Sequence, residues 1–524
     1  QLPALPAKPA APTTAQAQAD TVRVTVQRFR LSGNTLLSNT DLQAVLAPWL
    51  ARPLRFAELQ QASAAVAQAY RERGWFARVQ IPPQDVSTAE IAIDILEGKL
   101  GEVRIDDAGK PLRVGRELVS ATMTERQKSG DPLNLDALER SNNILNDTPG
   151  VAVTTILAPG KGPGESDAVV KVQDKPLVAS SAQLDNTGSR SSGEHKLSAN
   201  LTLDNPSGTG DQVSINGNAS EGNTYLKFAY SLPLGHDGMR VGANASAMVY
   251  RLVGADFEAL KSKGDAQTIG VTASYPFQRS AQRNMTVAAA LDYKTYYNEA
   301  NGAATSKKTI PTALLALTGD WLDTLGAGGM TLWGVNLTAG SVDLSANATN
   351  QNSDATGART AGGYTKLGYN LARLQRLWPN TTLWASFSGQ SAGKNLDSSE
   401  KMALGGPTAV RAYPVIEGSG DDGWLATLEL RYNLAPEWQV LAFYDHGGIR
   451  RDHQGDYTGA LTPASAELKG AGFGLNWNQP GRWSVRTSVA QRIDDNPLRT
   501  LSSGKDQDGS FTKVRFWFNA IAYF

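Results

Sequence analysis

From Pro176 to the last residue, apolar and polar positions alternate with a period of two, in segments of about ten residues separated by polar, glycine- or proline-bearing links. The clearest pair spans 424–446. Trp424, Ala426, Leu428, Leu430 and Tyr432 share one face of the first strand, and Thr427, Glu429 and Arg431 share the other. In the second strand, Trp438, Val440, Ala442 and Tyr444 face one way and Gln439, Phe443 and Asp445 the other. An apolar face ended by aromatics and backed by a polar face suits a strand that crosses a bilayer around a polar lumen. Sixteen such segments, the first near 178–187 and the last near 513–524, predict a 16-stranded antiparallel β-barrel over residues 177–524. The count is even, as bacterial single-chain barrels require. Links 251–265, 343–363, 392–423, 447–466 and 493–512 are long and polar, whereas 205–210, 434–437 and 478–481 are short, which is the asymmetry between the two ends of a membrane barrel. The two-residue link Glu221-Gly222 departs from it. A soluble β-sandwich would show no such alternation.

Before Pro176 the period changes. Thr21–Leu31 reads as a strand, Ser38 to Asp41 as the cap of a short helix ended by Pro48, and Phe56–Arg73 as a second helix stopped by Gly74. That helix carries Leu59, Ala62, Val66, Ala69 and Tyr70 on one face. Strands over 75–81 and 90–96 follow, the latter with Ile91, Ile93 and Ile95 on one side. The same order of elements returns after residue 98: a strand at 102–105, a helix at 114–127, a helix over 135–146 capped by Asn134, and strands at 151–157 and 168–172. Two α+β units are therefore expected, at 21–97 and 98–176. Residues 1–20 are rich in Pro, Ala and Gln and read as a disordered leader; prolines 3, 6, 9 and 12 oppose a long helix there.

Composition narrows the function classes. Net charge is zero, so there is no electrostatic case for nucleic acid. Cysteine is absent, which removes disulfides, thiolate metal sites and cysteine nucleophiles, and suits the oxidising cell envelope without requiring it. No apolar run approaches the ~18 residues of a transmembrane helix. The first residues lack the basic and apolar regions of a signal peptide, so an exported chain would be in its mature form.

Candidate chemistry is sparse. Gly418 to Gly423 matches G-x-G-x-x-G, but strand residues follow it and Asp421 and Asp422 would repel a phosphate. Gly389 to Gly393 matches a nucleophile elbow without the helix that would expose Ser391. His195, His236, His446 and His453 have no ligand-like spacing. No catalytic residue, metal site or cofactor is expected, and the chain does not read as an enzyme. What stands out is a glycine-rich loop, Leu404 to Pro414, carrying the single cation Arg411, with Asp445 on a strand further on.

Several segments resemble one family, the outer-membrane transporters of two-partner secretion (TpsB family, Omp85 superfamily). The 21–97 and 98–176 units resemble POTRA 1 and POTRA 2, the second through Leu133 to Arg140 and Leu145 to Val151. Leu184-Asp185-Asn186-Thr187-Gly188 and Leu203 to Asp211 are similar to that family's first hairpin and turn. Val410-Arg411-Ala412-Tyr413 resembles its V-R-G-[YF] motif, with Ala412 in place of the usual glycine, and Phe443, Asp445 and Gly447 resemble its F-x-D-x-G motif on strand thirteen. A terminal aromatic on an alternating strand, Phe524, is similar to the signal that delivers barrels to their assembly machinery. The resemblance implies a Gram-negative outer-membrane pore with periplasmic POTRA domains and an inward-folded sixth extracellular loop whose Arg411 pairs with Asp445. It further implies recognition of a large, unfolded, β-helical partner protein by the POTRA domains and its translocation to the surface without nucleotide, by a monomer set in outer-membrane lipid. A barrel-assembly insertase of the same superfamily would share the motifs but typically carries more POTRA units. A passive porin would need neither the loop nor the POTRA pair.

Overall fold

The computed structural model describes residues 23–86, 88–254, 258–500 and 503–524. The expectations for residues 1–20, including the absence of a long helix, lie outside them. The chain divides into two compact units, one ending at Gln173 and the other running from Asp174 to Phe524, with the short stretches 113–115 and 147–151 grouped with the second.

In the first unit, β1 (Val24–Thr25), β2 (Arg28–Ser32), α1 (Asn39–Leu46), β3 (Pro53–Leu54), α2 (Phe56–Glu72), β4 (Ala77–Gln80) and β5 (Glu90–Glu97) build one α/β layer pair. The sheet order is β2-β5-β4, with β2 parallel and β4 antiparallel to β5. Ser38 accepts the Asp41 amide as the N-cap of α1. The predicted stripe Leu59, Ala62, Val66, Ala69 and Tyr70 is the buried face of α2, packed on Ile91, Ile93 and Ile95. Gly74 takes φ +78° after the helix, the left-handed conformation that glycine adopts without strain. The next elements are β6 (Lys99–Asp106), α3 (Arg116–Thr124), α4 (Leu135–Asp147), β7 (Val151–Pro159) and β8 (Glu165–Asp174), with sheet order β6-β8-β7. The topology repeats that of the first sheet. The helix expected over 114–127 is only α3, because Gln127 leaves the helix to bond its side chain to the Pro132 carbonyl and the Asn134 amide.

The second unit is the barrel. Its first strands are β9 (Val178–Asp185), β10 (Lys196–Asp204), β11 (Gln212–Ala219), β12 (Asn223–Pro233) and β13 (Arg240–Arg251). Then come β14 (Lys263–Arg279), β15 (Arg283–Ala300), β16 (Ala303–Asp323), β17 (Gly329–Val342), β18 (Gly362–Trp378) and β19 (Thr381–Ala392). After a small hairpin of β20 (Met402–Ala403) and β21 (Ser419–Gly420), the wall resumes with β22 (Asp422–Ala435), β23 (Trp438–Arg450), β24 (Ser465–Gln479), β25 (Trp483–Arg492) and β26 (Val514–Tyr523). Among the described residues, sixteen strands, β9–β19 and β22–β26, close into one antiparallel barrel. Outward residues such as Leu226, Ile269, Leu291, Leu371, Leu428 and Phe473 are exposed, as a lipid-facing wall requires.

The sixteen predicted strands are all present, and the fourth outer link is where the structure differs. β15 and β16 are 18 and 21 residues long, well beyond the ~9–11 that cross a bilayer, and meet in a two-residue turn. Asn301 (φ +50°) and Gly302 (φ +77°) form it. Asn-Gly is the preferred pair for such a turn, because both residues tolerate positive φ.

Candidate functional site

The link between β19 and β22 is the sixth on the outer side, and its centre is a closed excursion. Met402 pairs with Gly420 and Ala403 with Ser419 at its neck; the Gly405 amide bonds the Glu417 carbonyl at 2.8 Å and the Val410 amide the Leu404 carbonyl at 2.8 Å. Val410, Ala412 and Tyr413 are fully buried. Complete burial of these side chains on a loop implies that the loop has a wall to pack on.

That wall is the face of β22 and β23 opposite the lipid-facing one. Asp445 is paired with Thr427, while their neighbours Leu428 and Tyr444 are exposed outward. Arg411 donates from Nε to Asp445 Oδ2 at 2.8 Å and from Nη2 to Asp445 Oδ1 at 2.7 Å. Its own backbone amide adds a third bond to Asp445 at 3.1 Å. The remaining nitrogen, Nη1, donates to Glu429 Oε1 at 2.7 Å, and Glu429 Oε2 accepts from Arg431 Nε at 2.8 Å. A planar guanidinium can serve two carboxylates at once, which an ammonium cannot do with the same geometry. The Arg411 Cζ stands 3.4 Å from the Phe443 ring centroid, so the aromatic face covers the cation from a third direction. Burial alone would depress the Arg411 guanidinium, but the bonds and charges of Asp445 and Glu429 raise it above its ordinary value. The side chain of Asp445 is fully shielded from solvent.

Four further contacts seat the excursion. Trp517 on β26 donates its indole N–H to the Arg411 carbonyl at 2.7 Å. Ala412 faces Gly470 on β24, where an added Cβ would stand 2.5 Å from the alanine methyl. Gly447 leaves room for Leu404, whose Cδ2 would lie 2.8 Å from a Cβ there. Tyr413 lies beneath Arg492, with the guanidinium carbon 4.4 Å from its ring centroid.

Two polar clusters hold the rest of the link. Glu417, fully buried, accepts from Asn496 Nδ2 at 2.7 Å and from the Gln507 amide at 3.0 Å, both on the eighth outer link. Burial pushes its carboxyl up to about 7, against those two hydrogen bonds and with help from the charges of Asp506 and Asp508. At the other end, Lys308 of β16 bonds Asp397 at 2.6 Å, while Lys294 of β15 and Lys366 of β18 reach Glu400 at 2.8 and 3.0 Å.

The structure therefore brings Val410, Arg411, Ala412 and Tyr413 together with Phe443, Asp445 and Gly447. Ala412 is not among the described non-glycine residues with positive φ, so the methyl at this position causes no backbone strain. Phe524 is exposed and bonds Ser180 through both its backbone groups, at 2.9 and 3.3 Å. Sequence reasoning placed Glu429 on the inner face but gave it no partner, and missed Trp517, Gly470 and Glu417. The inward spacing of Phe443, Asp445 and Gly447 was a usable signal for Gly470, since β24 also alternates glycine on its inner face. His446, at the end of the predicted strand, lies on β23 within 3.2 Å of Glu467, and His453 lies 2.8 Å from Asp422. Among the described residues no group of three or more His, Asp or Glu is placed to hold a metal ion.

A closed barrel of sixteen strands with a preceding POTRA-like unit and a buried arginine–carboxylate pair under its sixth outer link defines an outer-membrane protein transporter, with its N-terminal unit in the periplasm. The chain belongs to the haemolysin secretion/activation protein family (ShlB/FhaC/HecB), whose model matches residues 164–475; a ShlB-type POTRA model matches residues 24–98. It is similar to the heme/hemopexin transporter protein HuxB of Haemophilus influenzae, 25% identical over 465 residues that cover 87% of this chain and 81% of the relative. It is also similar to the outer membrane transporter CdiB of Dickeya dadantii, 26% identical over 453 residues, 83% of this chain and 78% of the relative. Among solved structures, CdiB from Escherichia coli shares the fold, with a TM-score of 0.73 at 21% identity over 98% of this chain and 93% of that one.

Proposed function

We propose that this protein carries one large secreted partner across the outer membrane, with its sixth outer link folded into the lumen and held there by Arg411. The observation that carries this reading is the buried triad of Arg411, Asp445 and Glu429, with Phe443 beneath it. A passive pore gains nothing from an arginine desolvated inside its wall, and leaving one partner of such a pair alone costs about 3–5 kcal/mol. A lock that can open would supply two discrete states of the link, docked and released, and release would widen the path for an extended chain.

The POTRA unit over residues 24–98, and the unit of like topology that follows it, would meet the partner first. β4 and β7 are edge strands of their sheets, so an extended segment could add to either as a further strand. Residues 98–176 are thereby read as a second POTRA domain, the working form as a monomer in outer-membrane lipid, and the barrel-assembly machinery as a partner in biogenesis only. No residue is assigned to bond-making chemistry. Nucleotide is not needed, since folding of the emerged chain outside can bias net movement. The family's description as haemolysin secretion/activation proteins suggests that the cargo is an exoprotein rather than a small solute.

Replacing Val79 of β4 with proline, which removes an amide on the side away from β5, tests recognition separately from the pore. Partner binding to the periplasmic unit should fall while single-channel conductance stays unchanged. Undiminished binding would rule out strand addition at that edge.

A further inference from the structure

The motif Leu184-Asp185-Asn186-Thr187-Gly188 has no part in the Arg411 lock, yet it sits where the barrel closes on itself. The ladder between β26 and β9 has five registered pairs, from Asn519–Asp185 to Tyr523–Ser181, whereas every other ladder of the barrel has eight or more. The reason lies in Asp185. Its carboxylate accepts the Thr187 amide at 2.9 Å and the Thr187 hydroxyl, a local turn that ends β9 and pulls the chain away from β26. The outer half of β26 thus loses its β9 partner beside the exposed Val514 and Phe516, where a backbone group left unpaired against lipid is costly.

Asn186 fills that gap. Its Nδ2 donates to the Phe516 carbonyl at 2.8 Å and its Oδ1 accepts the Phe518 amide at 2.8 Å. Its own amide adds a bond to the Phe518 carbonyl at 3.2 Å. A carboxamide offers a donor and an acceptor side by side, as a peptide unit does, so it extends the ladder by a further step without a strand. Immediately beyond lies a cavity of about 190 Å³ whose wall includes lipid-facing Phe516, inward Trp517 and Pro414 of the sixth outer link. Trp517, one residue from the Phe518 amide that Asn186 holds, also carries the hydrogen bond to the Arg411 carbonyl.

We propose that Asn186 is a seam clasp: its carboxamide closes the outer half of the β9–β26 junction and keeps it closed during transport, so that β26 offers a fixed wall to the Arg411 link. The last clause rests on the transport reading above; the closure itself does not.

The sequence contains no cysteine, so an introduced pair reports without interference. Three variants of the full chain are compared: Asn186→Ala, Asn186→Asp, which keeps the acceptor but loses the donor, and the pair Asn186→Cys with Phe518→Cys, opposite each other in register. Closure is read as the temperature at which the compact barrel band is lost in detergent gels, and as leak current in planar bilayers. The two single variants should shift the band to lower temperature and raise the leak. The pair should behave like them when reduced and return to the native values when oxidised. Single variants with native band and leak would overturn the clasp, as would an oxidised pair that stays leaky. If the alanine variant fails to insert, the oxidised pair decides alone: insertion with native leak supports the clasp, and failure to insert overturns it. Secretion is read last. An oxidised, closed pair that still secretes supports the fixed wall, whereas one that blocks secretion overturns it. Because band and leak do not involve cargo, failure of the clasp and failure of the transport reading are separable.

Discussion

At the scale of single residues, Arg411 is defined by the number of acceptors it serves. Asp445 takes two of its side-chain nitrogens and Glu429 a third, so Arg411→Ala leaves the buried Asp445 carboxylate without a cation, while Glu429 keeps Arg431. Secretion is expected to fall strongly while the barrel still inserts, with a destabilisation of the docked link of about 3–5 kcal/mol. Arg411→Lys should not rescue it, since one ammonium cannot reproduce the fork. Secretion by the lysine variant at the native level would show that charge alone suffices. The alanine beside it gives an independent steric test. Gly470→Ala should push the link off its seat, because the new methyl would stand 2.5 Å from that of Ala412. Ala412→Gly in the same chain should restore secretion, and a double variant no better than the single would disprove the contact. Arg411 and Asp445 were legible in the sequence through motif and strand parity. Gly470 and Trp517 were not, because what they do depends on strands that touch the link only after the barrel closes.

At the scale of elements, the sixth link is held at three places, and one of them responds to pH. Glu417 is pushed up to about 7 from an ordinary value of 4.5, mainly by burial. The docked state therefore holds a proton that the released state gives up between about 4.5 and 7. The contact between the sixth and eighth outer links contributes fully at the low end of that window and weakens as the pH rises through about 7. Proteolysis of the sixth link in intact cells should be slower at pH 5.5 than at pH 8. Glu417→Gln, permanently neutral, should remove that difference; a glutamine variant that keeps it would assign the effect elsewhere. Strands were the most legible elements, since a two-residue period with one lipid-facing side leaves little freedom of register. Their lengths were less so. β15 and β16 run past the membrane, where alternation no longer has to separate lipid from lumen, and only the Asn301-Gly302 turn marks where they end. α3 was over-extended because Gln127 continues the helical pattern while its side chain serves a loop.

At the scale of the molecule, two features that look separate in the sequence share β26. Its Trp517 holds the carbonyl of Arg411, and its Phe516 and Phe518 backbone groups hold Asn186. Lock and seam thus use the inner face and the β9-facing edge of one strand, and cargo passing through the lumen would disturb the first without having to open the second. The fold class was readable because composition, period and link asymmetry agreed. The site was half readable, because only half of it lies within the motifs themselves. The most direct test of the account compares cells carrying the native protein, none, or the Arg411→Ala variant, with the partner exoprotein measured in the culture medium and the outer-membrane barrels in the envelope. The account predicts partner in the medium with the native protein, none without it, strongly reduced amounts with the variant, and unchanged levels of other barrels throughout. Partner reaching the medium equally in cells that lack the protein, or a general loss of outer-membrane barrels in its absence, would contradict it.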